Sequence, residues 1–235
     1  MYAFLSALFM KLLNGLQAYT GSYAWAILFF TVIIKALLFP LTQKQYTSMK
    51  EMQAIQPEIK KIQEKYKDDP KKLQEAQAAL FTEHQVNPFG GCLPLFIQMP
   101  ILWGIYGTIM NFRHLFEGEH VRFLWIGGWL SQKYPQYFAK NLASPDVALI
   151  FMYGLSMYLS QKLTVTDPTT AKQQSTMNLV MPVMFTFMLW SWKLPCAMVL
   201  YWCSFNLLGL IQQAHIIRMP ALVTGAGRKT GDRKR

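Results

Sequence analysis

Charge is what this chain lacks most. Charged residues make up 15% of its 235 positions, where a soluble domain carries about a quarter. Acidic residues are the scarcer sign, 12 against 23 Lys and Arg, and the formal charge is +11. The charges that exist are gathered into a few segments, and long stretches between them hold none or one. A bilayer imposes that segregation, because charge is costly in hydrocarbon and cheap outside it. Cysteine is nearly absent as well. Cys92, Cys196 and Cys203 are odd in number, lie in apolar segments and match no metal-ligand spacing, which excludes a disulfide framework and a zinc site and leaves small apolar core residues. No Ser or Cys nucleophile has a His and Asp set around it, no Gly-rich phosphate loop occurs, and no paired Asp or His cluster lies in an apolar run. The residues give no catalytic site and call for no cofactor. Residues 1–18 carry Lys11 alone, with no basic stretch ahead of the apolar part, so they do not read as a cleavable signal. Either the first spanning helix is itself the insertion signal or an N-terminal portion precedes this sequence.

What is present is 52% hydrophobic and divides by period. In residues 1–20, Tyr2, Leu5, Leu8, Phe9, Leu12, Leu13, Leu16 and Tyr19 recur at helical spacing, opposite Ser6, Lys11, Asn14 and Gln17. A helix so patterned lies in a membrane surface, and Gly21-Ser22 ends it. Five apolar segments follow, at residues 24–41, 92–112, 147–163, 177–192 and 195–217. Each is near the roughly 20 residues needed to cross about 30 Å of hydrocarbon. Basic residues crowd two regions, 44–72 and the tail 218–235. With five spans both lie on one side, and the positive-inside bias makes that side the cytoplasm. The amphipathic segment and the loop 113–146 then face outward, that loop presenting Trp125, Trp129, Tyr134 and Tyr137 to an interface. Residues 164–176 form a further cytoplasmic loop. The fold class is an all-α, multi-pass membrane protein, a five-helix bundle with its N-terminus outside and its C-terminus in the cytoplasm.

Residues 42–88 interrupt the apolar pattern. Met49, Met52, Ile55, Ile59, Ile62 and Tyr66 alternate three and four apart, which is a coiled-coil seam. Asp69 and Pro70 open a return helix as N-cap and first helical residue, and Leu73, Ala76, Leu80 and Phe81 continue the pattern. The expectation is an antiparallel cytoplasmic hairpin with Ile55, Ile59, Ile62, Leu73 and Leu80 in its seam and its first arm bent at Pro57.

Several segments together resemble the YidC family of membrane protein insertases: Gln56-Pro57-Glu58-Ile59-Lys60, Lys65-Tyr66-Lys67-Asp68-Asp69-Pro70, Val86-Asn87-Pro88-Phe89-Gly90-Gly91-Cys92-Leu93-Pro94-Leu95, Gln98-Met99-Pro100, Thr166-Asp167-Pro168, Met181-Pro182-Val183 and Leu200-Tyr201-Trp202. The resemblance covers residues 16–218 and is to the bacterial type, without the extra N-terminal helix and large periplasmic domain that Gram-negative members usually carry. It implies a five-helix core enclosing a hydrophilic, positively charged groove, from which nascent membrane proteins are released into lipid, alone or beside the Sec translocon. It also implies an inner-membrane location, action as a monomer, no cofactor, and the ribosome and the signal recognition particle receptor as further candidate partners. The family usually has Arg where this chain has Lys35, which keeps the charge and loses the bidentate fork.

Lys35 is the sharpest single feature. A cation near mid-membrane costs at least about 2.5 kcal/mol, so something must offset it. The alternatives are a groove and a side chain snorkelling to the cytoplasmic interface. In the fifth span Trp202, Asn206, Gly209 and Gln213 share one face, either lining a groove or bonding across helices. The expected client-binding set is Lys35, Thr31, Gln98, Gln161, Tyr201, Trp202, Asn206 and Gln213. A small-solute transporter or channel would suit an intramembrane lysine too, but no internal repeat is visible. A structural subunit of a membrane complex is the other rival, with the hairpin as its docking arm.

The basic tail serves as a topology and lipid determinant or as a contact for ribosomal RNA phosphate. If it binds phosphate, deleting residues 228–235 will weaken ribosome association and flatten its salt dependence in sedimentation assays. An unchanged salt slope would leave the lipid role.

Overall fold

The computed structural model describes residues 2–87, 93–118, 123–164 and 171–218. The tail beyond 218, residues 165–170 and the Pro88–Cys92 segment, on which several expectations fall, lie outside them. Among the described residues the chain is helical, with one isolated β-bridge between Phe123 and Ile126 and no strand. The helices are α1 (Tyr2–Thr20), α2 (Tyr23–Leu37), α3 (Phe39–Ala54), α4 (Gln56–Lys65), α5 (Pro70–Glu83), α6 (Leu93–Asn111), α7 (Arg113–Phe116), α8 (Trp129–Lys133), α9 (Val147–Thr164), α10 (Ala171–Ser191) and α11 (Cys196–Arg218).

Local chemistry sets most of the boundaries. Gly21 turns the chain with φ +72°, a conformation open to glycine at no steric cost. Ser22 then caps α2, its Oγ accepting from the Ala24 N–H at 3.3 Å. The first apolar segment is not one helix to residue 41. It stops at Leu37, and α3 restarts after Leu38 with Pro40 in its first turn. Pro40 has no N–H, and its ring would collide with the carbonyl four residues back were the helix continuous. Pro57 acts likewise: the expected bend is a break at Ile55 between α3 and α4. Asp69 caps α5, accepting from the Lys72 N–H at 3.1 Å. That bond, with the Lys72 side chain beside it, holds the Asp69 carboxyl below the usual carboxylate range.

α11 is the central element, packed on α9, α2 and α3, while α1 lies on α6 and α2, and α10 packs chiefly on α9. α1 packs by one side and leaves part of its apolar stripe exposed. It buries Ser6, Phe9, Met10 and Leu13 and leaves Leu8, Leu12 and Tyr19 exposed. The small, polar Ser6 is the reason. Its carbonyl accepts from Thr108 Oγ1 at 3.1 Å and its hydroxyl from Asn111 Nδ2 at 3.2 Å. Close approach is also made possible by Gly104, where a Cβ would sit 2.5 Å from the Phe9 ring.

Beside an apolar core, the long helices also bury polar side chains and expose large apolar ones. Thr31, Lys35, Thr108, Ser156, Gln212 and Gln213 are buried, while Phe96, Phe151, Leu155, Val183, Phe187 and Ile211 are exposed. By length and mean hydropathy no single described helix is long and apolar enough to cross a membrane. Ala3–Thr20 and Tyr23–Leu37 are so only together, and they meet at a bend of 119°. α6, α9, α10 and α11 each carry polar residues among their apolar ones. At 18 to 23 residues these helices run about 27–35 Å.

Two satellite structures complete the fold. In the α4–α5 hairpin, Ile55, Ile59, Leu80 and Val86 form a buried cluster, with Met52, Ile62 and Phe81 packed on it. Leu73 is half-buried and lies outside that cluster. It sits one turn after Pro70, beside the 66–69 turn, where the arms are only beginning to face each other. At the other end residues 123–146 fold over α9 and α11. The buried Asp146 carboxylate accepts from Trp125 Nε1 (2.9 Å), Ala139 N (2.8 Å) and Leu149 N (2.7 Å). The backbone N–H groups of Cys196 and Ala197, which open α11, donate to Ser144 and Leu142 carbonyls at 2.8 and 2.9 Å.

Leu80→Ala should cost the hairpin about 2–5 kcal/mol, speeding amide exchange in α4 and α5 and leaving α9 and α11 unchanged. Uniform acceleration would show that the hairpin is not a separate cooperative unit. Asp146→Ala strands three donors at about 1–3 kcal/mol each. It should lower the detergent-solubilised thermal midpoint by several degrees, with Asp146→Asn falling between.

Candidate functional site

The break at Leu38 puts Lys35 in the last turn of α2. There the unsatisfied carbonyl ends of the helix favour a cation by about 0.3–1 kcal/mol. Lys35 is only 7% exposed, and among the described residues no carboxylate forms an ion pair with it. Its stem crosses to α11, where Nζ stands 4.5 Å from the centre of the Phe205 ring. One turn further along α11 is Gly209. A Cβ built there would lie 3.3 Å from Lys35 Nζ and 3.2 Å from Tyr46 Oη. Tyr46, on α3, donates its hydroxyl to the Gly209 carbonyl at 3.3 Å. Below it Thr42 Oγ1 donates to Gln212 Oε1 at 3.0 Å, and Gln212 Nε2 donates to the Phe39 carbonyl at 3.3 Å. Lys35 is therefore enclosed by α2, α3 and α11.

The other expected residues fall into distinct places. Thr31 is buried one turn before Lys35, but its hydroxyl donates to the Ile27 carbonyl of its own helix at 2.6 Å. It supplies a small wall, with its proton already used. Gln98 reaches across from α6 and donates Nε2 to Tyr201 Oη at 3.0 Å. Tyr201 is fully buried and packs on Phe30 and Phe205, so Gln98 and Tyr201 join Lys35 through Phe205. Trp202, Asn206 and Gln213 face α9. Trp202 stacks on Tyr153 with centroids 6.0 Å apart. Asn206 Nδ2 donates to Ser156 Oγ at 3.2 Å. Gln213 accepts from Ser160 Oγ at 3.0 Å and donates to its carbonyl at 3.3 Å. The stripe that the sequence reads as one face thus divides, with Gly209 at its edge turned toward Lys35 and the amides bonded across to α9. Gln161 is half-buried beside Ser160 and makes no hydrogen bond to these residues.

Tyr46, Thr42, Phe205 and Gln212 were missed by sequence reasoning. A signal existed in the adjacent pair Gln212-Gln213. Neighbours on a helix point about 100° apart, so two buried amides in succession must serve two different partners. Thr42 and Tyr46, one turn apart just past the apolar segment, are the matching partners on α3. Cys196 and Cys203 are buried, and among the described residues no group of His, Cys, Asp and Glu could hold a metal ion.

Chemically the site offers one cation on a flexible four-carbon stem, an aromatic ring, and amides and hydroxyls bonded to one another. It can attract and hold an anionic group.

Comparison with known proteins places this arrangement. A sequence profile of the 60Kd inner membrane protein family matches residues 15–222. The membrane protein insertase YidC of Geotalea daltonii is 41% identical over 221 residues, which is 92% of this chain and 38% of that protein. The YidC of Clostridium tetani is 42% identical over 193 residues, 81% of this chain and 80% of that protein. A crystal structure of an active YidC insertase, with its first transmembrane domain resolved, superposes with a TM-score of 0.65 at 29% identity, covering 89% of this chain and 45% of that one. The chain spans less than two-fifths of the length of several relatives it matches and four-fifths of the Clostridium protein. On the family profile, the sequence identities and the shared helical fold, the chain belongs to the 60Kd inner membrane protein family, that of the YidC insertases.

Proposed function

We propose that this protein is a membrane protein insertase. It takes up a short polar segment of a nascent membrane protein at Lys35 and releases the adjoining apolar helix into lipid. The observation that carries the reading is Lys35 itself: a buried ammonium, unpaired with any described carboxylate, where α2, α3 and α11 meet. An uncompensated charge in such a place is a standing cost, and an acidic residue of a passing client offsets it. At about 4 Å and an effective dielectric near 20, such a pair gains about 4 kcal/mol before desolvation, enough for transient holding. Burial of the client's own apolar surface in lipid then drives release.

The membrane arrangement belongs to the same proposal. α2, α6, α9, α10 and α11 span the bilayer around a hydrophilic groove, with α1 in the outer interface and the α4–α5 hairpin in the cytoplasm. The exposed apolar side chains support it, since Phe151, Leu155, Val183 and Phe187 suit lipid as a neighbour better than water. The basic segments 44–72 and 218–235 orient it, with the C-terminus inside. Within the groove Gln98, Tyr201 and Trp202 provide the walls. Thr31 keeps the volume beside Lys35 small, and Asn206 and Gln213 hold α9 to α11. Gln161 lies at the cytoplasmic mouth. The hairpin receives clients and targeting factors, with the Sec translocon, the ribosome and the signal recognition particle receptor as candidate partners.

The test is an in vitro insertion assay on two clients that differ only in the charge of the translocated tail. Lys35→Arg should retain activity. Lys35→Ala should reduce insertion of the acidic-tailed client about tenfold relative to the neutral one, which corresponds to about 1.4 kcal/mol of net attraction. Lys35→Glu should be worse still for the acidic client. If the Ala and Glu variants insert both clients as well as the parent does, Lys35 is not the electrostatic element.

A further inference from the structure

Gly209 occupies a position whose importance does not follow from groove walls or helix glue. It stands in the middle of α11, where glycine costs about 1 kcal/mol relative to alanine, and its backbone conformation is ordinary helix, with no positive φ to explain it. What the absent side chain provides is space. The point a Cβ would occupy is closed on two sides, by Lys35 Nζ at 3.3 Å and Tyr46 Oη at 3.2 Å. The ring of Phe205, one turn away on the same helix, faces the same ammonium at 4.5 Å. Tyr46 fixes the far wall by donating to the Gly209 carbonyl.

From this geometry we infer that Gly209 forms a niche in which the Lys35 ammonium rests against α11, and that the size of residue 209 sets how far the charge reaches and how strongly the protein favours acidic client segments. The second half of that statement rests on the insertase reading; the first does not. The resting ammonium lies on the Phe205 face, an attraction of the cation–π kind, and close to the backbone of α11. An approaching carboxylate has to draw it out. Four rotatable bonds in the lysine stem make that movement easy, while α11, fixed by α9 on one side and α3 on the other, stays in place. A side chain at 209 would fill the niche and leave the ammonium extended, more open to small polar reagents and already available to an acidic tail. The backbone at 209 tolerates the change, since alanine favours helix over glycine.

The experiment uses the full chain in proteoliposomes and reads Lys35 directly. Sulfosuccinimidyl acetate, a water-soluble amine-acylating reagent, is added, and acetylation of Lys35 is followed by peptide mass spectrometry against Lys44 as an exposed reference. Displacing the ammonium from its ring should raise the Lys35 rate about threefold in Gly209→Ala and about tenfold in Gly209→Val, the range expected for losing one such contact. Phe205→Leu keeps the niche and removes the ring, and should give a smaller rise than Gly209→Val. Rates equal to or below the parent's in both position-209 variants would overturn the niche. So would a full rise in Phe205→Leu with none in Gly209→Val, which would assign the hold to the ring alone. The two-client insertion assay then tests the second half: the preference for the acidic tail should increase about threefold in Gly209→Val. Faster acetylation with an unchanged preference would overturn the specificity role while leaving the niche standing. An unchanged preference in Lys35→Ala as well would instead remove the insertase electrostatics.

Discussion

With large apolar side chains turned outward along the long helices, polar groups on those helices must find their partners inside. This constraint organises the bundle. Several helix pairs that meet closely share a polar bond across the interface: Ser6 with Thr108 and Asn111 between α1 and α6, Gln98 with Tyr201 between α6 and α11, Asn206 and Gln213 with Ser156 and Ser160 between α11 and α9, and Thr42 with Gln212 between α3 and α11. Among the described residues no buried side-chain nitrogen or oxygen lacks a partner. Apolar packing alone is indifferent to rotation of a helix about its axis. A hydrogen bond buried at an interface is not, because turning the helix leaves both groups unsatisfied. Polar residues thus fix the rotation of the helices they join, α3 and α11 among them, and so the walls around Lys35.

Lys35 differs from the rest of that network. Its neighbours Thr42, Tyr46 and Gln212 are hydrogen-bonded, whereas among the described residues its charge is met by a ring face and a helix terminus. Each of these is worth a fraction of an ion pair. The site is therefore stable enough to hold the ammonium and weak enough to give it up, a balance that a neighbouring Asp or Glu would destroy. The scarcity of acidic residues, the first thing visible in the sequence, returns here as a structural requirement.

Much of the helical layout was legible in the sequence because it depends on local signals. The stop at Gly21-Ser22, the Asp69-Pro70 start and the three–four spacing of Ile55, Ile59 and Ile62 depend on neighbours within one or two turns. What escaped was non-local. Residues 24–41 read as one apolar run, and only the clash built into Pro40 divides it. Which side of α1 meets the bundle could not be read, because the deciding contacts of Ser6 lie on a helix about a hundred residues away. At the candidate site the charge was plain from its isolation, and Gln98 and Tyr201 were read as groove residues. Their bond to each other, and the roles of Tyr46 and Gly209, could not be read from spacing, because they depend on where α3 crosses α11.

The 123–146 segment ties together the ends of α9 and α11 through Asp146, Ser144 and Leu142. Further along the same two helices, Asn206 bonds Ser156 and Gln213 bonds Ser160. α9 and α11 are thus laced together from their first turns onward, like two planks stitched along one seam. A seam of that kind resists sliding and twisting of one helix against the other, so the pair moves as a single plate.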